Sequence, residues 1–320
     1  MDNKQIDDLR RTMGTLPDMA PKFETKFYRG VEGMSVKLID WPHNPYKAMY
    51  TLATSCWGKK IDKWNDTSVE GRAMVVKAVL QRVALPLAYE AAQFTFACER
   101  IPRWAFDQIA RARVGVVFSS QGTRDNNHLD AGFFMHDEIY EDAELRAAFE
   151  KAAKQCKEVY KKIVSKGQGS WQAARSILPI SNTHAFSFSA NFAALQGMLS
   201  KRLKFCEADA TVAFAWLVKA EVDKKFPLLG KYLVPSCDPK DSCDYNKSYH
   251  LSNCFGCLFK ACGRNKSTGN SDYASFNQSC SDRTKIMTQL EIYIPTGEET
   301  REYLKEDIIS DKDMELFKEE

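Results

Sequence analysis

The chain has 320 residues, 44% of them hydrophobic and 27% charged, enough to bury a full core as an ordinary soluble globular protein. Its net charge of +3 is too small for binding nucleic acid or a membrane surface through the global field. No apolar run approaches the roughly 20 residues that span a bilayer, and the start MDNKQIDDLRR lacks an apolar signal core, so a cytoplasmic location is expected.

Residues 1–33 are polar and irregular and read as an extension packed loosely on the body. Ser35–Ile39 alternates as a strand, and Trp41-Pro-His-Asn-Pro45 breaks it. Tyr46–Cys56, with Pro45 near its first turn, and Val69–Val83 read as helices, and Gln93–Cys98 as a strand rich in aromatic and β-branched residues. Pro102 suits the first position of a helix running to about Val114, with Gly115 as its stop. On that helix Gln108, Arg111 and Ala112 would share a flank.

The stripe Leu145, Phe149, Ala152, Cys156, Val159, Tyr160 and Ile163 predicts a long helix from Ala143 to Lys166, closed by Gly167. A short helix over Ser170–Ile177 precedes a strand over Asn182–Ala190, followed by helices over Phe192–Arg202 and Glu207–Lys224. Met287–Ile294 reads as a late strand, and the acidic tail from Gly297 ends in an amphipathic helix.

Arg111-Ala112-Arg113, with Arg124 and Gln108 near it in sequence, is the most chemically pointed stretch. Guanidinium is a planar, permanently charged fork for oxyanions and suits a nucleotide phosphate. The plainer reading is a set of solvated helix-end arginines favoured by the dipole. Asn191 precedes a predicted helix and would cap it.

Four ordered anchors stand out: Val36–Pro45 continuing through Cys56; Tyr89-Glu90 leading into Phe94-Thr-Phe96; Gln108-x-x-Arg111-x-Arg113 followed by Arg124; and Ala174-Arg175-Ser-Ile-Leu-Pro179 followed by Asn191 and Arg202. In this order they resemble the flavin-dependent thymidylate synthase family over roughly residues 34–233. The resemblance implies an α+β fold with an antiparallel sheet and packed helices, assembled as a homotetramer. It implies binding of FAD and a deoxypyrimidine monophosphate at subunit junctions, with dUMP the default and dCMP the variant.

On the same resemblance Arg111, Arg113 and Asn191 would hold the flavin. Gln108, Arg124, Arg175 and Arg202 would hold the nucleotide, Arg175 and Arg202 being also the expected catalytic residues. The implied reaction is methylation or hydroxymethylation at C5, with methylenetetrahydrofolate as carbon donor and NADPH as reductant.

The departures are as informative as the matches. Where the family has a histidine between two arginines this chain has Ala112, and its motif serine falls on Gly122. Histidines flanking Glu90 are replaced by Leu85 and Ala91, and an arginine and an asparagine after Asn191 are Ala193 and Gly197. A second reading follows from them: a zinc-stabilised nucleotide-binding or scaffold protein that has lost the family reaction. Neither Cys98 nor Cys206 has an activating base beside it in sequence, so neither is expected to be a nucleophile.

Cysteines are unevenly spread. Cys56, Cys98, Cys156 and Cys206 read as buried free thiols. Cys237, Cys243, Cys254, Cys257, Cys262 and Cys280 crowd together beyond the core. Cys254-Phe-Gly-Cys257 with Cys237 and Cys243 would make a structural Cys₄ zinc site, with His250, Cys262 and Cys280 as substitutes; reduced thiols without metal are the alternative. The expected divisions are therefore 1–33, 34–233, a Cys-rich segment at 234–285, and a strand with an acidic tail at 286–320.

Overall fold

The computed structural model describes residue 5 and residues 25–83, 86–123, 128–166, 170–205, 208–236 and 282–319. Its centre is a four-stranded antiparallel sheet in the order β2-β3-β6-β4, formed by β2 (Ser35–Asp40), β3 (Gln93–Pro102), β6 (Thr183–Asn191) and β4 (Val116–Ser120). Along β6 the core side takes His184, Phe186, Phe188 and Ala190 in strict alternation, as a sheet covered more on one face requires. Phe186 and Phe188 pack 5.9 and 5.8 Å from Phe214 of α8 (Asp209–Lys225), ring centre to ring centre. That helix is buried nearly all round, so it lies within the core rather than on it.

Helices α1 (Pro45–Thr54), α2 (Val69–Leu80) and α7 (Phe192–Arg202) surround this centre. Each starts on a side-chain cap: Asn44 accepts from Lys47 N, Ser68 from Gly71 N, and Asn191 from Ala194 N. The strand and helix expectations for these segments and for α8 hold to within a few residues.

Five expectations need correction. First, β3 continues to Pro102, so the next helix, α3, covers only Arg103–Ile109. The chain then turns through Gly115, at φ +69°, so that β4 can pair with β6. A β-carbon on Gly115 would lie 2.9 Å from Asn191 Nδ2 and from Ala194 Cβ, so the turn needs glycine twice over. Arg111 and Ala112 consequently follow the helix into this turn together with Arg113, and do not share a helical flank with Gln108.

Second, residues 27–33 do not lie loosely. β1 (Phe27–Arg29) pairs in parallel with β5 (Phe133–Met135), and Val31 is buried. Third, Met287–Ile294 is not a strand: α10 (Arg283–Leu290) is capped by Asp282 and buries Ile286. Its Gln289 accepts from Val31 N at 2.9 Å and donates to Asp137 Oδ1 at 3.2 Å. Asp137 opens α4 (Asp137–Glu141) and pairs with Arg29 at 2.9 Å, so one short polar chain ties three distant segments together.

Fourth, the long helix α5 (Ala143–Ser165) is present but rotated about its axis. Ala153, Lys157 and Tyr160 are buried, whereas Leu145, Ala152 and Val159 are exposed. Lys157 turns inward because its ammonium donates to the carbonyls of His128, Leu129 and Ala131. Fifth, the tail holds two helices, α11 (Gly297–Lys305) and α12 (Asp311–Lys318), the latter delivering Phe317 into the core.

Among the scattered cysteines Cys98 is buried, Cys156 half-buried and Cys56 exposed, so the buried reading fails for Cys56. Burial pushes the Cys98 thiol pKa well up, which suits an inert thiol. The proposed zinc ligands Cys237, Cys243, Cys254 and Cys257 lie outside the described residues, as do Cys206, Leu85 and Arg124. Among the described residues no three His, Cys, Asp or Glu come together as a metal cluster, and no helix is long and apolar enough to cross a membrane.

Candidate functional site

At one end of β6 the turn after α3 faces the start of α7 across a cavity of about 610 Å³. Arg111, Ala112, Arg113 and Gly115 line it from the turn; Asn191, Ala193, Gly197, Lys201 and Arg202 line it from the strand end and helix, with Glu90 beside them. The geometry is a consequence of the helical repeat: positions 193, 197 and 201 are four apart on α7 and share one face. Cationic groups thus converge from two elements on one open space.

Local hydrogen bonds fix this arrangement. Asn191 donates its backbone N–H to Gly115 O at 3.1 Å, and its Oδ1 accepts from Ala194 N at 2.8 Å. Among the described residues capping engages the side-chain oxygen and not the amide nitrogen, so cap and ligand contact are compatible roles. Arg202 donates from Nη2 to Gln108 O at 3.1 Å. Gln108 Oε1 accepts from Thr211 Oγ1 at 3.2 Å, which holds it to α8.

The sequence departures fall here too. Ala112, Ala193 and Gly197 all line the cavity, and a β-carbon on Gly197 would meet nothing within 4 Å. Of these three positions Gly197 faces open space, whereas Ala112 and Ala193 also pack against the core. Lys201, which sequence reasoning passed over, brings a cation to the same wall; its spacing of eight from Ala193 was the available signal.

Arg175 is not part of this cavity. It lies in a 3₁₀ turn, Arg175–Ile177, after α6 (Ser170–Ala174), and lines a second pocket of about 300 Å³ with Arg103, Thr123, Ser176, Asn182 and His184. Asn191 closes β6 in the first cavity, whereas Asn182 and His184 stand at the strand's beginning in the second. Seven residues of strand separate His184 from Asn191, or roughly 23 Å at about 3.3 Å per residue. One chain brings Arg111, Arg113, Asn191 and Arg202 together, with Gln108 behind Arg202, but not Arg175.

Fold and site together define an α+β protein whose antiparallel sheet carries an arginine-rich, anion-suited cavity at one end and a smaller polar pocket at the other. The family model described as thymidylate synthase complementing protein matches residues 37–228, well over half of the chain, and the chain belongs to that family. Two solved structures of the UMP/dUMP methylase PolB from Streptomyces cacaoi share its fold. The one bound with 5-Br dUMP is 15% identical with a TM-score of 0.52, covering 65% of this chain and 96% of that one. The one bound with 5-Br UMP is 16% identical with a TM-score of 0.50, covering 65% and 95%. Among curated proteins no sequence match is found.

Proposed function

We infer that this chain transfers a one-carbon unit, methyl or hydroxymethyl, to C5 of a deoxypyrimidine monophosphate with the help of FAD. The observation that carries this reading is the convergence of Arg111, Arg113, Asn191 and Arg202 on one cavity in a member of this family. The donor set fits a diphosphate-bearing cofactor: two guanidiniums from the turn and Lys201 from α7 meet a helix start capped through the Asn191 side-chain oxygen. A flavin bound there would supply the reducing equivalents, with NADPH as its source and methylenetetrahydrofolate as carbon donor.

This chain's residues would bind and orient. Arg111 and Arg113 neutralise the cofactor phosphates, Asn191 contacts its polar edge, and Arg202 holds the nucleotide beside it, steadied by Gln108. Arg175 completes the nucleotide grip from the other end of the sheet, and Arg124 is assigned to the same grip on the family resemblance alone. Because one chain holds Arg175 and Arg111 at opposite ends of β6, a complete site draws on a second copy, which supports a homo-oligomer of the tetrameric kind. Zinc on Cys237, Cys243, Cys254 and Cys257 stays a structural proposal, checked by metal analysis of the purified protein.

Two experiments test the reading. Purified protein incubated with FAD, reductant, methylenetetrahydrofolate and either dUMP or dCMP should be yellow and give a product heavier by one carbon unit. Arg111→Ala and Arg113→Ala should each weaken FAD binding about tenfold to a hundredfold. A colourless protein that takes up no FAD sinks the proposal. Nucleotide binding without turnover favours instead the scaffold reading, whose support is Leu85, Ala91 and Ala112 standing where the family resemblance expects histidines. For the shared site, inactive Arg111→Ala and Arg175→Ala proteins, dissociated and reassembled together, should recover activity that neither has alone; no recovery contradicts a site built from two chains.

A further inference from the structure

Two side chains that line the second pocket, His184 and Asn182, each carry a buried hydrogen-bond acceptor with no partner among the described residues. His184 is only 4% exposed, and its Nδ1 lies 3.0 Å from the carbonyl of Ile101. A carbonyl can only accept, so Nδ1 carries the proton and Nε2 is a bare acceptor. Nε2 has no partner. The ring is held edge-on to Phe106 at 4.8 Å and stacked on Phe186 at 5.6 Å. Burial pushes its pKa down to about 4, which keeps it neutral and accepting at pH 7.

Asn182 is also 4% exposed and is fixed by its own backbone. Its N–H donates to Pro179 O and its carbonyl accepts from Arg103 N. The side-chain Nδ2 donates to Thr183 O at 3.1 Å, leaving Oδ1 without a partner among the described residues. A buried polar group left unsatisfied is destabilising, and two on side chains lining one pocket point to a ligand that brings the missing donors. Beside them Arg175 makes no ion pair among the described residues, whereas Arg103 is engaged with Asp107 at 3.0 Å. Among the described residues, the pocket lining thus combines an arginine that makes no ion pair with two unpartnered acceptors.

We propose that Asn182 and His184 read the exocyclic amino group of a cytosine ring while Arg175 takes its phosphate, so that the nucleotide this chain prefers is dCMP rather than dUMP. An amino group brings two N–H donors from one nitrogen, one for each acceptor. Uracil puts a carbonyl at that position, setting acceptor against acceptor, and keeps a single ring N–H. A site built around buried polar partners rejects the analogue that lacks them far more strongly than an apolar pocket rejects a missing methylene. The inference rests on the pyrimidine-nucleotide reading above and narrows it to one base.

Calorimetric titration of the full-length protein with dCMP and with dUMP tests it. The expected result is dCMP binding at least tenfold tighter. His184→Phe keeps the ring contacts without the acceptor, and Asn182→Leu removes the other; each should bring the ratio of the two affinities towards one, in protein shown by circular dichroism to be folded. Arg175→Ala should weaken both nucleotides alike. Equal or tighter dUMP binding overturns the cytosine inference and leaves the family reading standing, whereas binding of neither nucleotide removes that reading itself. A dCMP preference that survives in the folded variants shows that these two side chains are not the readers, and the proposal falls.

Discussion

Phe317→Ala is expected to destabilise the protein by about 3–5 kcal/mol, the range for truncating a fully buried aromatic. Phe317 is 0% exposed and stacks on Tyr46 at 4.7 Å with an interplanar angle of 12°. It also lies 6.3 Å from the Trp64 ring. The helix that carries it is held by more than this ring. Asp313, also fully buried, accepts from the Tyr46 hydroxyl and from Leu228 N at 2.9 Å. Arg72 donates to Phe317 O at 2.7 Å and lies over the Trp64 ring, while Trp64 Nε1 donates to Glu319 O at 2.6 Å.

The consequence is that a segment far beyond the family match, which ends at residue 228, closes the core around α1 and α2. Urea unfolding followed by tryptophan fluorescence should show a lower midpoint for Phe317→Ala with an unchanged slope. Deleting residues 311–320 removes ring, carboxylate and backbone acceptors together and should cost more than the single truncation. A midpoint within experimental error of the wild type in both proteins would show α12 to be a detachable appendage.

How much of this was legible in the sequence depends on what each residue's position encodes. Strand β6 and helix α7 were readable because His184, Phe186, Phe188 and Ala190 alternate and because Asn191 is a good cap before an apolar run. The turn at Arg111–Gly115 was missed because Pro102 is equally at home ending a strand and opening a helix; the pairing of β4 with β6 decides, and that contact is non-local. Helix α10 reads as a strand because Ile, Met, Leu and Ile recur at spacings that suit both periods. Tertiary partners for Gln289 and Ile286 settle the matter.

For the site, the resemblance divided the residues into a flavin set, Arg111, Arg113 and Asn191, and a nucleotide set, Gln108, Arg124, Arg175 and Arg202; one cavity is lined by the whole first set and by Arg202 of the second. The separation of Arg175 could not be read, because spacing along a chain does not reveal which end of a strand a residue faces. Asn182 and His184 carried a faint signal. A histidine in register with Phe186 and Phe188 on the covered face of a strand needs a partner for each ring nitrogen, and only coordinates show that one lacks it.

That same histidine makes the fold acid-sensitive in a defined window. The pKa of His184 is pushed down to about 4 by burial, and nearby Arg103 and His128 push it the same way; the Ile101 carbonyl and Asp107 oppose them. His128, 1% exposed, is likewise held low by burial and by Lys157. A histidine whose folded pKa lies below its unfolded value of about 6.5 binds its proton less readily in the native state. The unfolded chain therefore gains protons that the native chain does not as pH falls from 6.5 to 4, and stability drops through that window and levels below it. For His184 alone a shift of this size corresponds to about 3 kcal/mol at about 1.4 kcal/mol per pH unit, and His128 adds in the same direction.

Urea midpoints measured from pH 7.5 down to pH 4.5 should fall steadily below pH 6.5 in the wild-type protein. His184→Phe has no proton to gain in either state, so the fall should be markedly shallower in that variant. Parallel curves for the two proteins would mean that His184 titrates normally and is not sealed between Phe106 and Phe186. That result would also remove the reason to treat its Nε2 as a permanent acceptor, so the acid profile tests the same side chain that the nucleotide titrations test, by a readout that needs no ligand.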